Sequence, residues 1–129
     1  GHYDAARRAL WYVNAGHNPP ALIKTHASEV VRLDAGGPVI GLFEDCAYTQ
    51  ACVTVEPGDV LVAFTDGISE AMNIADEEWG EDQVFEIVRA NRTHSAQEII
   101  GMIMREADRF TAGAPQHDDM TLIVIRVET

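Results

Sequence analysis

The sequence predicts a mixed α/β (α+β) fold, and three observations lead to this prediction. Short β-prone runs separated by turn-forming residues fill the first half of the chain. Downstream, the spacing of apolar residues changes from two to nearly four, which is typical of amphipathic helices. The chain then ends in another apolar, strand-like run. With 129 residues, of which 47% are hydrophobic, we predict a single domain over residues 1–129.

The predicted strands begin near the start of the chain. Residues 10–13 and 21–24 are β-prone, and the segment between them is rich in Asn, Gly and Pro, which favour a turn. We therefore predict a hairpin with a wide loop. Residues 29–33 are predicted to add a third strand, which ends at residues 34–38 because the proline there cannot donate to a sheet ladder.

A second predicted hairpin carries an acidic residue to the end of a strand. Residues 48–55 alternate in polarity, and Pro57 and Gly58 occupy the two central positions of a turn. Residues 60–65 then return as an apolar strand. This arrangement places Asp66 directly after that strand.

Two helices are predicted in the second half of the chain. Over residues 81–90, Val84, Phe85 and Val88 share one face, and acidic residues come early, where a helix N-terminus favours them. The second helix has the clearer signal, because residues 95–98 form a capping-box sequence. One apolar stripe follows it: Ile99, Ile100, Ile103, Met104, Ala107 and Phe110.

The last predicted strand, residues 120–127, is apolar on both faces. We therefore expect it to lie in the centre of a covered sheet. An acidic turn at residues 117–119 stands directly before this strand, just as Asp66 stands directly after residues 60–65. If the two strands are buried side by side, the two acidic turns meet at one rim of the sheet.

Carboxylates gathered at such a rim repel one another unless a cation lies between them. Mg²⁺ and Mn²⁺ take oxygen ligands, so we predict a shared metal site between the two turns, where Gly67 would let the backbone turn without crowding the site. Each turn alone also has an ordinary interpretation, since Asp-Gly is common in turns and Asp118-Asp119 could cap a loop. Two or three aspartates underfill a six-coordinate shell, so waters or further ligands must complete it.

Two histidines lie close to these segments. His17 stands in a polar Gly-His-Asn loop, where it could be a ligand or a general acid. The preferred interpretation is a scaffold residue that braces the loop through both ring nitrogens. His117 adjoins the second acidic turn and so could titrate with it.

Composition narrows the possible functions. Nine basic and 21 acidic residues give a formal net charge of −12, which disfavours nucleic acid and anionic membranes as partners. No apolar run approaches the roughly 20 residues of a spanning helix, and the start of the chain lacks the plan of a signal peptide, so we expect a cytoplasmic protein. Cys46 and Cys52 match no zinc or redox spacing and are expected to be reduced.

Four segments carry a more specific signal. They are Tyr12-Val13-Asn14-Ala15-Gly16-His17-Asn18-Pro19-Pro20, Gly37-Pro38-Val39-Ile40-Gly41, the run from Pro57-Gly58-Asp59 to Thr65-Asp66-Gly67-Ile68-Ser69-Glu70-Ala71, and Asp118-Asp119-Met120-Thr121. In this order, and across nearly the whole chain, they resemble the SpoIIE-like branch of the PPM metal-dependent serine/threonine protein phosphatases. The resemblance implies an α-β-β-α sandwich with mostly antiparallel sheets flanked by helices.

The same resemblance implies a chemistry and a site. In that family a dinuclear Mn²⁺ or Mg²⁺ centre lies at one end of the sheets, and a metal-activated water attacks a phosphoserine or phosphothreonine. Carried over to this chain, Asp66 and Asp118 match metal ligands, and Asp119, Gly67 and His117 are candidates for supporting positions around the metal. The implied partner and substrate is a phosphorylated regulatory protein, of which anti-sigma-factor antagonists are the expected class.

The family also places a Gly-Asp segment, whose aspartate bridges both metals, upstream of these motifs. Tyr3-Asp4-Ala5 does not resemble that segment. We therefore expect the C-terminal majority of a phosphatase domain, incomplete at the N-terminus and lacking the N-terminal metal-binding segment. Weakened metal binding and an exposed sheet edge, which a homodimer could hide, are further expectations.

Two functions stay open. The first is a metal-dependent protein phosphatase, which Asp66 and Asp118 favour. The alternative is a non-catalytic domain that binds a phosphoprotein or a regulator on the same scaffold, or an inactive fragment. The missing bridging aspartate favours this alternative.

Overall fold

The computed structural model of the chain describes residues 1–27, 29–116 and 118–128. The elements within these ranges are, in chain order, β1 (His2–Asp4), β2 (Ala9–Tyr12), β3 (Asn14–Ala15), β4 (Ala21–Ile23), β5 (Val30–Arg32), β6 (Gly36–Gly37), β7 (Ala51–Thr54), β8 (Val60–Phe64), α1 (Asp66–Ser69), α2 (Glu81–Asn91), α3 (Ala96–Thr111) and β9 (Leu122–Arg126).

The strands form two antiparallel sheets and one short parallel pair. One sheet has three strands in the order β1-β2-β7, and the other has four in the order β5-β4-β8-β9. β3 and β6 pair in parallel. The expected mixed α/β fold with mostly antiparallel sheets and helices is confirmed.

Both predicted hairpins are wrong, because the two strands of each pair lie in different sheets. β2 pairs with β1 and β7, whereas β4 pairs with β5 and β8. The turn at Pro57 and Gly58 likewise connects β7 in one sheet to β8 in the other. A turn sequence specifies a change of direction, but the strand partner is decided by which faces can be buried together. β4 instead forms a hairpin with the predicted third strand, β5.

The core lies between the four-stranded sheet and the helices α2 and α3. The strand β8 alternates between buried and half-buried positions, as expected for a sheet with one face on the core. Phe64 at its end packs against Phe85 of α2, with ring centroids 6.2 Å apart. Fully buried aliphatic side chains from all three elements meet here: Val60, Val62, Val84, Val88, Ile99 and Ile103. Each contributes about 1.5–3 kcal/mol of hydrophobic stabilisation.

Both predicted helices are present, and the capping box of α3 is confirmed. The Ser95 hydroxyl accepts from the Glu98 N–H at 3.3 Å, and the Glu98 carboxylate accepts from the Ser95 N–H at 2.8 Å. The helix ends at Thr111, and the left-handed conformation of Ala112 caps the last turn. In the described part of the chain, no helix combines the length and apolar composition that crossing a bilayer requires.

The Ser95→Ala substitution is expected to lower the free energy of unfolding by about 1 kcal/mol, since it removes the acceptor for the Glu98 N–H. Thr93→Ala, at an exposed position two residues earlier, is the control and is expected to change it by less than about 0.5 kcal/mol. Urea unfolding followed by circular dichroism measures both. Equal effects of the two substitutions would contradict the assigned cap.

The last strand, β9, is an edge strand among the described residues, so the prediction of a central position is wrong. It pairs with β8, from Val60 opposite Arg126 to Phe64 opposite Leu122. Val124 is buried on the face towards the core. Ile123 and Ile125, on the other face, are 54% and 52% exposed. The apolar residues on both faces of β9 predicted that both faces would be covered, but the described residues bury only the face that carries Val124.

The two cysteines differ in exposure. Cys46 is half-buried and Cys52 is exposed, and both are free.

Candidate metal centre

The two acidic turns lie side by side at one rim of the four-stranded sheet. β8 and β9 are antiparallel neighbours, with Phe64 opposite Leu122 at the rim end of the pair. Immediately beyond, the Thr65 N–H donates to the Thr121 carbonyl at 3.1 Å. The prediction that these two strands would bring their turns together is confirmed.

The side chain of Thr65 ties the two turns to each other. Its hydroxyl donates to the Asp119 carbonyl at 2.9 Å and accepts from the Thr121 N–H at 3.0 Å. One hydroxyl that is both donor and acceptor to the facing turn fixes the distance between the two backbones. In sequence, Thr65 is part of the Thr65-Asp66-Gly67 motif, which indicates no separate role for its hydroxyl.

Gly67 packs directly on the backbone of the facing turn. A Cβ atom at this position would lie 2.5 Å from the Asp119 carbonyl oxygen and 3.0 Å from its carbon. Contacts this short to rigid backbone atoms are not tolerated, so the position has room only for glycine. The expected absence of a crowding side chain therefore has a specific cause, which is close contact between the two turns.

Asp66 and Gly67, predicted as a turn, instead begin the short helix α1, which one residue separates from the end of β8. One carboxylate oxygen of Asp66 accepts from the Gly67 N–H at 3.0 Å, and its backbone carbonyl accepts from the Glu70 N–H at 2.7 Å. Ile68, in the same turn of helix, is fully buried and anchors it to the core. The Asp66 side chain is exposed, so a rigid element presents its carboxylate to solvent.

Asp118 and Asp119 are exposed in the segment that leads into β9. One carboxylate oxygen of Asp118 accepts from the Asp119 N–H at 2.7 Å, and its carbonyl accepts from the Gln116 side-chain amide at 2.8 Å. Asp119 contacts the other turn through its backbone carbonyl. His117, the remaining candidate, lies outside the described residues.

A cleft of about 560 Å³ opens beside the two turns. Gly67 and Asp118 line it, and so do Glu70 and Asp108, two acidic residues that the sequence analysis missed. Asp66 is not among the described residues that line it. Glu70 had a weak signal, since it follows Asp66 by one helical turn. Asp108 had none, because nothing in the sequence of α3 shows that this part of the helix lies beside the rim.

The donor atoms at this rim are oxygens, which a hard divalent cation prefers, but they are too few to fill its coordination shell. Asp66 and Asp118 offer carboxylate oxygens from two adjacent turns, which suits Mn²⁺ or Mg²⁺. Within the described ranges, however, no three side chains of His, Cys, Asp or Glu form a group that could hold a metal ion. An ion shared by Asp66 and Asp118 therefore stays a prediction.

The loop around His17 borders the same rim. The buried Asn14 side chain accepts from the His17 N–H and donates to the His17 carbonyl, both at 2.9 Å. The His17 ring nitrogen Nδ1 lies 2.7 Å from the Asn18 carbonyl. These local bonds support a scaffold role for His17. The Asn18 side-chain amide reaches across to donate to the Phe64 carbonyl at 3.4 Å.

Comparison with known families and relatives agrees with the four motifs. The family model described as stage II sporulation protein E (SpoIIE) matches residues 1–128. Protein IcfG of Synechocystis sp. is 30% identical over 125 residues, covering 97% of this chain and 19% of IcfG. The phosphoserine phosphatase RsbU of Bacillus subtilis is 29% identical over 128 residues, covering 97% of this chain and 37% of RsbU. The chain thus spans well under two thirds of either relative.

A solved structure gives the same fold. The PP2C phosphatase domain of SpoIIE from Bacillus subtilis, determined with a fragment of its regulatory domain, superposes with a TM-score of 0.77 at 23% identity. The match covers 97% of this chain and 36% of that one. The resemblance inferred from the four sequence motifs is therefore confirmed at the level of family and fold.

Proposed function

Because the chain belongs to the stage II sporulation protein E (SpoIIE) family, we propose that it forms part of a metal-dependent serine/threonine protein phosphatase. The observation that supports this most is the meeting of the Asp66 and Asp118 turns at one rim, joined by the Thr65 hydroxyl. The relative RsbU is named a phosphoserine phosphatase. A rim that presents two carboxylates from adjacent strand ends is suited to phosphoryl chemistry assisted by a divalent cation.

We assign Asp66 and Asp118 as ligands of Mn²⁺ or Mg²⁺, in a centre that is dinuclear in the complete family domain. When bound, such ions neutralise the charge on the phosphoryl oxygens and activate a water molecule. The chain's own residues set the position of the carboxylates. Thr65 fixes the spacing of the two turns, Gly67 allows their close contact, and Asp119 accepts the Thr65 bond.

The proposed substrate is a phosphoserine or phosphothreonine on a regulatory protein, and an anti-sigma-factor antagonist is the class that the family suggests. With a formal net charge of −12, the chain would attract a substrate with a basic surface more strongly than an acidic one. The rate of association is therefore expected to fall as salt increases.

The metal assignment is tested by replacing single aspartates. Asp66→Asn or Asp118→Asn is expected to weaken Mn²⁺ binding at least tenfold in calorimetry, because each removes a charged ligand while keeping the side-chain volume. Asp45→Asn and Asp76→Asn, at exposed positions outside the two turns, are the matched controls. Equal effects at all four positions would end the metal-site proposal.

Catalysis is tested separately with a small aryl phosphate and Mn²⁺. The assay uses this chain and a version extended upstream in the parent protein. Hydrolysis by either one, lost on Asp66→Asn, supports the phosphatase. Hydrolysis only by the longer version identifies this chain as an incomplete catalytic unit. Hydrolysis by neither would favour the alternative, a non-catalytic domain that binds a phosphoprotein or a regulator.

A further inference from the structure

Arg32 joins helix α2 to the loop that borders the rim. Its guanidinium donates to both carboxylate oxygens of Glu81, from Nη1 at 2.7 Å and from Nη2 at 3.2 Å. The same group lies 5.4 Å from the centre of the Phe85 ring. Nη2 also donates to the Asn18 Oδ1 at 3.2 Å. One side chain on β5 therefore contacts the start of α2 and the loop after β3.

Asn18 connects Arg32 to β8 through a second hydrogen bond. Its Nδ2 donates to the carbonyl of Phe64, the residue before Thr65 and Asp66. The Phe64 ring packs against Phe85, which is the ring beneath Arg32. The end of β8 is thus connected to α2 by two routes, a ring contact and a chain of hydrogen bonds.

The guanidinium also decides which way the Asn18 amide faces. An arginine donates hydrogen bonds and accepts none, so it pairs with the oxygen of the amide. The amide nitrogen is then turned towards the Phe64 carbonyl, which can only accept. Glu81 in turn holds the planar guanidinium by two bonds in a fixed orientation. A lysine at position 32 could not make these three contacts with the same geometry.

We propose that Arg32 is a positioning residue that acts through Asn18 to hold the end of β8, and with it the Asp66 turn, in place at the rim. This gives the Gly16-His17-Asn18 motif a mechanical role. The catalytic meaning of the inference rests on the proposed function, because it takes Asp66 to be a metal ligand. The mechanical coupling itself is independent of metal.

Amide hydrogen exchange tests the coupling directly. The Ile68 N–H donates to the Thr65 carbonyl at 3.1 Å, and the Glu70 N–H donates to the Asp66 carbonyl. In Arg32→Met and in Asn18→Ala, both amides are expected to exchange about tenfold faster. Because the two residues act in series, the double variant is expected to exchange no faster than the faster single variant. The Val127 N–H, at the opposite end of the β8–β9 pair, is expected to keep its rate.

Lys24→Met is the matched control. It removes a half-buried cation whose ion pair with Asp59 lies at the other end of β8. It is expected to lower global stability, and so to speed exchange at Val127 as much as at Ile68. If Arg32→Met leaves Ile68 and Glu70 unchanged, or speeds them only as much as Val127, the positioning role is overturned.

A Mn²⁺ titration separates this inference from the proposed function. If Arg32→Met weakens Mn²⁺ binding severalfold and also speeds exchange at Glu70, both stand. If Asp66→Asn leaves Mn²⁺ binding unchanged while Arg32→Met speeds exchange at Glu70, the metal assignment fails and the positioning role stands. If Mn²⁺ binding depends on Asp66 but exchange at Glu70 is independent of Arg32, the positioning role fails and the metal assignment stands.

Discussion

Replacing Asp59 with Asn is expected to lower the free energy of unfolding by about 3 kcal/mol, as measured by urea unfolding. Asp59 is fully buried, and its carboxylate accepts from the Lys24 ammonium at 2.5 Å, the Thr25 N–H at 2.8 Å and the Glu56 N–H at 2.9 Å. Asparagine keeps the volume but not the charge. It therefore leaves the Lys24 cation, whose side chain is only 18% exposed, without its main partner.

Glu56→Gln is the control for this substitution. The Glu56 carboxylate lies 3.8 Å from the same ammonium, and its side chain is 45% exposed. Solvent screens such a pair, so its loss is expected to cost no more than about 0.5 kcal/mol. If Asp59→Asn cost as little as Glu56→Gln, the buried pair would contribute nothing specific to stability.

The same ion pair predicts a dependence of stability on pH. Burial raises the pKa of Asp59, but the Lys24 hydrogen bond, the Glu56 and Thr25 N–H donors and the Lys24 charge outweigh it, so that the pKa is lowered. A lowered folded-state pKa gives stability that is complete above the ordinary aspartate value and is lost as the pH falls through the folded value. The free energies of unfolding of the wild type and Asp59→Asn are therefore expected to differ at neutral pH. The difference is expected to shrink as the pH falls below about 4.

Local signals in the sequence were enough to predict α2 and α3. The start of α3 is encoded by two residues three positions apart, Ser95 and Glu98, and its buried face by a stripe along the same helix. Each of these interactions is made within one segment. No knowledge of the rest of the fold is needed to find it.

The strands of the two predicted hairpins had the right positions but the wrong partners. β7 and β8 are separated by a turn that suits a hairpin, yet they pair in different sheets. The ladder partner of a strand is fixed by long-range burial, which a turn sequence does not encode. The same limit explains β9, because an apolar composition cannot tell how many faces the surrounding chain will cover.

The residues of the candidate site fall into two similar groups, those with a local signal in the sequence and those without one. Asp66 and Asp118 could be found because each adjoins an apolar strand, and strands of that kind tend to be neighbours. Thr65 and Arg32 could not be found in this way, because their hydrogen-bond partners are distant in sequence. Asp119 lies 54 residues from Thr65, and Glu81 lies 49 residues from Arg32. The residues that hold the two turns in place are thus less visible in sequence than the carboxylates they position.

The Gly67→Ala substitution is expected to lower the free energy of unfolding by about 2 kcal/mol, the cost of overpacking a tight contact. The added Cβ would lie 2.5 Å from the Asp119 carbonyl oxygen, and that oxygen is also held by the Thr65 hydroxyl. The two turns must therefore move apart. If Asp66 and Asp118 share a cation, Gly67→Ala is also expected to weaken Mn²⁺ binding, although it removes no ligand.

Gly101→Ala supplies the control with the opposite sign. Gly101 lies within α3, where the nearest atom to an added Cβ is the end of the flexible Arg105 side chain at 3.1 Å. Alanine there is expected to raise the free energy of unfolding by about 0.5–1 kcal/mol, because it favours the helix. Neither glycine has a left-handed backbone, so the two substitutions differ in what the new methyl group meets. A stabilising Gly67→Ala would mean that the two turns are not in close contact, and the rim could not then hold Asp66 and Asp118 around one ion.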